Sequence, residues 1–98
     1  TRTHLDLGKA WSHDRLVDEI ATGRKILQDW TGQSVDYFAV PYGMPWNVTQ
    51  EAIDVIYEAG YKAFVTAYGD WNYPGGDSFH LARIHGECGC ASLLNWLT

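Results

Sequence analysis

Basic residues are scarce in this chain. Seven Lys and Arg stand against twelve Asp and Glu, for a net charge of −5, and no basic cluster is larger than the pair Arg24-Lys25. Neutralising a phosphate backbone takes clustered Lys and Arg, so the balance argues against nucleic acid as a partner. Long apolar runs are also missing, and nothing approaches the roughly 20 residues of a membrane-spanning helix. There is no signal-peptide pattern and no initiator Met. The chain opens Thr1-Arg2-Thr3-His4, so any targeting segment is expected upstream. Cysteine is limited to Cys88 and Cys90. Alternate residues of a strand point the same way at a fixed spacing, which suits an internal disulfide poorly. The second pair that a structural zinc site needs is absent. Both are read as reduced thiols or packing residues.

What is present is globular: 46% hydrophobic, 19% charged, with five Trp and six Tyr. The 98 residues suffice for one small domain with a marginal core, because a short chain buries a small share of its surface. No repeat or low-complexity segment interrupts it.

The spacing of Leu16, Ile20, Gly23, Leu27 and Trp30 predicts a helix from about Asp14 to Trp30 with those residues on one face. Ser12 is its expected N-cap. Asp14, Asp18 and Glu19 near its start and Arg24 and Lys25 near its end match the helix dipole. Thr31-Gly32 ends it. Val35 to Val40 reads as a strand stopped by Pro41-Tyr42-Gly43. A second helix is expected from Thr49 to Ala59, with Ala52, Val55, Ile56 and Ala59 inward and Gly60 as its left-handed terminator. The sequon Asn47-Val48-Thr49 overlaps that helix start and is read as a cap. A strand over Tyr61 to Thr66, a loop over Tyr68 to Ser78, a strand over Phe79 to His85 and a helix over Ala91 to Leu97 complete the order. Such alternation implies parallel strands with crossover helices. Parallel sheets need cover on both faces, and three strands with three helices supply only part of it. The chain is therefore expected to be a piece of a larger barrel or layered sheet, with an exposed sheet edge that invites aggregation.

Three stretches are placed to carry chemistry: Thr1 to Leu7 before the first helix, Phe38 to Gly43 at a strand's C-terminal end, and Leu81 to His85 at another. Functional groups of parallel α/β folds gather at such ends. Together these residues resemble the polysaccharide deacetylase family (the NodB-homology fold, carbohydrate esterase family 4). Thr1-Arg2-Thr3-His4-Leu5-Asp6-Leu7 is similar to the family's His-Ser/Thr-x-x-His metal motif without its first histidine. Glu19-Ile20 and Thr31-Gly32 match further stretches of the family, and Phe38 to Gly43 (with Val40 in place of Tyr), Ala59 to Ala63 and Leu81-x-Arg83-Ile84 match those of one subgroup, in order and spacing.

The resemblance covers essentially the whole chain. It implies an α/β fold: a partial (β/α) barrel of the polysaccharide deacetylase type lacking its N-terminal strands, with residues 1–98 as the C-terminal part of a single domain. The implied activity is hydrolysis of N- or O-acetyl groups on a polysaccharide. Zn²⁺ or another divalent metal is implied as cofactor, held by one Asp and two His, with a second Asp as base. Both aspartates belong to a Thr-Phe-Asp-Asp-Gly-like motif that this sequence does not contain, and Asp6, Asp70 and Asp77 have the wrong neighbours to replace them. Such hydrolysis needs a polarised carbonyl and an activated water, and catalytic zinc takes three protein ligands. The chain alone is therefore expected to be inactive.

By resemblance, His4 is the metal ligand, and the backbone N–H of Tyr42 serves the oxyanion. Pro41, Tyr42, Gly43 and Trp46 wall the substrate groove, and His85 is the acid that protonates the leaving group. Many members carry an Arg ahead of the Pro-Tyr-Gly turn, where this chain has Ala39 and Val40. Trp46, Tyr68, Trp71 and Tyr73 sit in loops, where aromatic rings pack either on sugar C–H faces or into the core. His13 and His80 are read as solvated surface residues, and Arg83 as half of an ion pair. The alternative function is a non-catalytic carbohydrate-binding domain on the same fold.

Overall fold

A computed structural model of the protein describes residues 1–84 and Leu94. His85, Cys88, Cys90 and the expected helix over 91–97, Leu94 apart, lie outside the described residues.

Three short strands, β1 (Tyr37–Ala39), β2 (Ala63–Val65) and β3 (His80–Leu81), form one parallel sheet in the order β1-β2-β3. Tyr37 faces Ala63 and Phe38 faces Phe64 in the first pair, and Phe64 faces His80 in the second. The ladder continues past the regular strands. Lys62 N–H donates to Asp36 at 2.7 Å, Val40 N–H to Val65 at 3.1 Å, and Thr66 N–H to Leu81 at 3.0 Å. The sheet thus occupies the segments where the apolar runs put it. On β1 only alternate residues are covered: Phe38 is buried while Tyr37 and Ala39 are exposed. On central β2 both Ala63 and Phe64 are buried, as a strand covered on two faces must be.

The crossover from β1 to β2 is α3 (Gln50–Glu58). The Thr49 side chain caps it by accepting the Ala52 N–H, and Ala52, Val55 and Ile56 are buried. Gly60 follows at φ +93°.

The first helix departs from the expected single rod. Ser12 caps α1 (His13–Val17) as foreseen. A π turn over Asp18–Thr22 follows, then α2 (Gly23–Thr31) to Gly32 at φ +67°. A π turn closes its hydrogen bonds one residue later than an α turn, which puts the following residues out of phase by about 100°. The expected stripe is accordingly split. Leu16 and Ile20 are buried, whereas Leu27 is 46% and Trp30 81% exposed. Glu19, three residues after Leu16 and next to Ile20, lies buried on their side. Arg24 does not serve the end of its own helix. Its guanidinium donates to the carbonyls of Val35 and Ala59 and lies 5.3 Å from the centre of the Tyr61 ring.

The core lies between the helices and the sheet, built from Leu7, Leu16, Ile20, Phe38, Val40, Ala52, Val55, Ile56, Tyr61 and Phe64. Leu7 enters it through a parallel bridge to Val48, with the Thr49 N–H donating to the Leu7 carbonyl at 3.1 Å. His80 is half-buried rather than solvated. Its ring stacks on Phe64 at 4.7 Å and its Nε2 lies 2.7 Å from the hydroxyl of fully buried Thr66. A buried hydroxyl needs a partner, and the β2–β3 register delivers this one. Arg83 donates to the Thr66 carbonyl at 3.0 Å, and among the described residues no carboxylate pairs with it. His13 is exposed, as expected. Among the described residues no helix is long and apolar enough to cross a membrane.

Candidate functional site

Two loops meet beside the C-terminal end of β1: the segment Thr1 to Leu7 and the turn Pro41-Tyr42-Gly43. Each carries one non-glycine residue at positive φ, His4 at 60° and Tyr42 at 66°, and these are the only such residues among those described. Their rings touch, with centroids 4.8 Å apart at a tilt of 58°. A side chain in the left-handed region costs ~1–3 kcal/mol and persists only where the surroundings over-determine it. Both residues are exposed. Among the described residues, neither a ring nitrogen of His4 nor the N–H of Tyr42 makes a hydrogen bond.

The Tyr42 turn is fixed from both sides. Pro41 and Gly43 are buried, and the Gly43 carbonyl accepts the Ala67 N–H at 2.7 Å. Gly43 sits at φ +80°, and a Cβ there would come within 2.8 Å of the Ala67 Cβ. Only glycine suits that position. Tyr42, between them, is 61% exposed, its side chain turned toward His4.

The two loops are joined by a polar clamp. One oxygen of Asp6 accepts both the Gly8 N–H at 2.9 Å and the Asn47 side-chain amide at 3.2 Å. Asn47, which is buried, accepts the Met44 N–H at 3.1 Å. The Gly8 N–H, followed by the Asn47 amide, holds the Asp6 carboxyl below the usual range. Gly8 makes the close approach possible, since a Cβ there would meet the Trp46 carbonyl at 1.7 Å. The Asp-x-Gly pattern at residues 6–8 is a local signal for this turn. The link to Asn47 spans 41 positions and has no local signal.

The His4 segment is also held from the helix side. The Glu19 carboxylate, 1% exposed, accepts both the N–H and the hydroxyl of Thr3. Arg15 lies 3.4 Å away, and the Glu19 backbone carbonyl accepts the Arg2 N–H at 3.0 Å. Burial by itself raises the Glu19 pKa; the Thr3 hydroxyl and N–H, with the charge of Arg15, more than offset that and leave it lowered. The Arg2 guanidinium meanwhile grips Asp18 with contacts of 2.7 and 2.8 Å. A carboxylate on the apolar face shared by Leu16 and Ile20 was the available sequence signal for Glu19.

Trp46 is 69% exposed next to this pair of loops. Trp71, Tyr73 and His80 line a different feature, an open cavity of about 430 Å³ over residues 70–82 that His4, Tyr42 and Trp46 do not reach. Tyr68 packs edge-on against His80 at 5.1 Å, and burial raises its phenol pKa.

Among the described residues no group of three His, Cys, Asp or Glu is placed to hold a metal ion. His4 has ring nitrogens to offer, but Asp6 is committed to the clamp, and one donor falls short of the three that catalytic zinc takes. The described residues alone therefore do not fit a complete metal site. The family model described as Polysaccharide deacetylase matches residues 1–64. No curated protein and no solved structure matches the chain.

Proposed function

Because the chain belongs to the polysaccharide deacetylase family, we propose that it forms one side of a site hydrolysing N- or O-acetyl groups on a polysaccharide. His4 supplies one ligand to Zn²⁺ or another divalent ion, and the remaining ligands come from outside the described residues. The fold belongs to a (β/α) barrel of which residues 1–98 form the C-terminal part. The observation that carries this reading is the pairing of His4 and Tyr42. The only two non-glycine residues in the left-handed region among those described face each other at 4.8 Å, with their polar groups unspent.

In this reading each residue has a physical task. The Tyr42 N–H, free of any protein acceptor among the described residues, donates to the carbonyl oxygen as it gains negative charge; a fixed donor costs no reorganisation during the reaction. Pro41 and Gly43 hold the turn rigid, and the exposed faces of Tyr42 and Trp46 offer apolar area to the sugar C–H groups. His85 serves as the acid for the leaving group. The test is acetate release from acetylated chito-oligomers or xylan by the full-length protein with added Zn²⁺. His4→Ala is expected to lower kcat/KM by more than the ~10–100-fold that losing a mere outer-shell partner of a metal ligand costs, and activity within about twofold of wild type would overturn the assignment. The 98 residues made alone are expected to release no acetate at enzymatic rates, having one ligand where three are needed. Sugar binding by the full-length protein without acetate release assigns it instead to a non-catalytic carbohydrate-binding domain.

A further inference from the structure

We infer that Glu19 is a positioning residue for the candidate site: its buried carboxylate sets the backbone that presents His4 to Tyr42. This rests on the proposed role of His4, but its geometry stands apart from any metal. Helix residues of this kind normally point their carboxylates to water, yet Glu19 is 1% exposed, in the core face beside Ile20. Both of its oxygens are used on Thr3, one for the N–H and one for the hydroxyl. Its own carbonyl takes the Arg2 N–H, and its neighbour Asp18 takes the Arg2 side chain. Two consecutive residues immediately before His4 are thus fixed, through backbone and side chain, by two consecutive residues of the π turn.

Glu19 lies within the π turn, and such single-turn bulges are frequent at functional sites. His4 sits at φ 60°, a conformation that needs outside constraint. The constraint comes from Glu19 on one side and the Asp6–Asn47 clamp on the other. Glu19 touches neither substrate nor metal in this arrangement and acts through Thr3.

The test is NMR of the full chain with labelled His and aromatic rings, reading the His4–Tyr42 cross-peak against the Phe64–His80 cross-peak, which reports the intact sheet. Glu19→Leu removes both acceptors from Thr3 at similar volume, and Thr3→Val removes the hydroxyl without touching the core. Each is expected to weaken the His4–Tyr42 peak at least about fivefold while Phe64–His80 persists. Thr3→Ser, which restores a hydroxyl, is expected to return it. A His4–Tyr42 peak at full strength in Thr3→Val overturns the inference even if Glu19→Leu does not fold. Glu19→Leu that folds and keeps the peak overturns it too. Loss of the peak in these variants, combined with no acetate release by the full-length wild type, would uphold the positioning role and sink only the deacetylase reading.

Discussion

Asn47→Ala should loosen the junction between the two site loops and destabilise the chain. Asn47 is 6% exposed and spends its amide on two bonds, accepting from the Met44 N–H at 3.1 Å and donating to Asp6 at 3.2 Å. Truncation removes both and strands the partly buried Met44 N–H, a loss of ~1–3 kcal/mol for an unsatisfied buried donor. Asp6 keeps the Gly8 N–H, so its own loss is partial. For a domain of this size each kcal/mol moves the melting midpoint by ~4–8 °C, so the expected drop in a thermal melt followed by circular dichroism is roughly 10 °C. Asn47→Asp provides the companion measurement. It keeps an acceptor for Met44 but sets a second carboxylate against Asp6, so its deficit at neutral pH should shrink as the pH falls and one of the two is protonated. An Asn47→Ala midpoint within about 2 °C of wild type would refute the idea that this amide joins the loops.

Two glycines test the backbone geometry. Gly8→Ala forces a Cβ to within 1.7 Å of the Trp46 carbonyl and should cost about 3 kcal/mol or more in urea unfolding. Gly32→Ala, at φ +67° but with nothing within 4 Å, should cost only the left-handed strain of ~1–2 kcal/mol; equal losses would contradict the close approach. Acid titration tests the carboxylates. Glu19 and Asp36 have lowered pKa values, the latter chiefly through the Ser34 hydroxyl. Their contribution is complete above the ordinary carboxylate range and is lost as the pH falls through the lowered folded-state values. Stability should therefore decline on the acid side, and Glu19→Gln should flatten that decline; an unchanged acid limb in the variant would contradict it.

The parts of this fold that could be read from the chain were those with local causes. Thr49 followed by Ala52, Val55 and Ile56 carries both a cap and a helical period, and α3 forms where they say. The apolar runs Val35 to Val40 and Tyr61 to Thr66 marked two of the strands, but not which of them is covered on both faces. The first helix was legible in extent but not in phase. Its π turn coincides with Arg2 and Thr3 bonding to Asp18 and Glu19, contacts that no helix period encodes. The same holds for Arg24, whose acceptors lie on two other loops, and for His80, whose partner Thr66 comes from the neighbouring strand. At the candidate site the residue types and turn were readable by resemblance. The resemblance put His4 and Tyr42 at one cleft, but not what holds them there: the Leu7–Val48 bridge, the Asp6–Asn47 clamp and the Glu19–Thr3 bonds link residues far apart in the chain. His85 lies outside the described residues.

The central claim is that His4 is a metal ligand, and zinc content tests it most directly. Full-length protein purified with Zn²⁺ and desalted should carry about one zinc per chain by elemental analysis, as should His13→Ala, which alters an exposed histidine. His4→Ala should fall well below that while keeping its fold. Full zinc occupancy in His4→Ala would contradict the account.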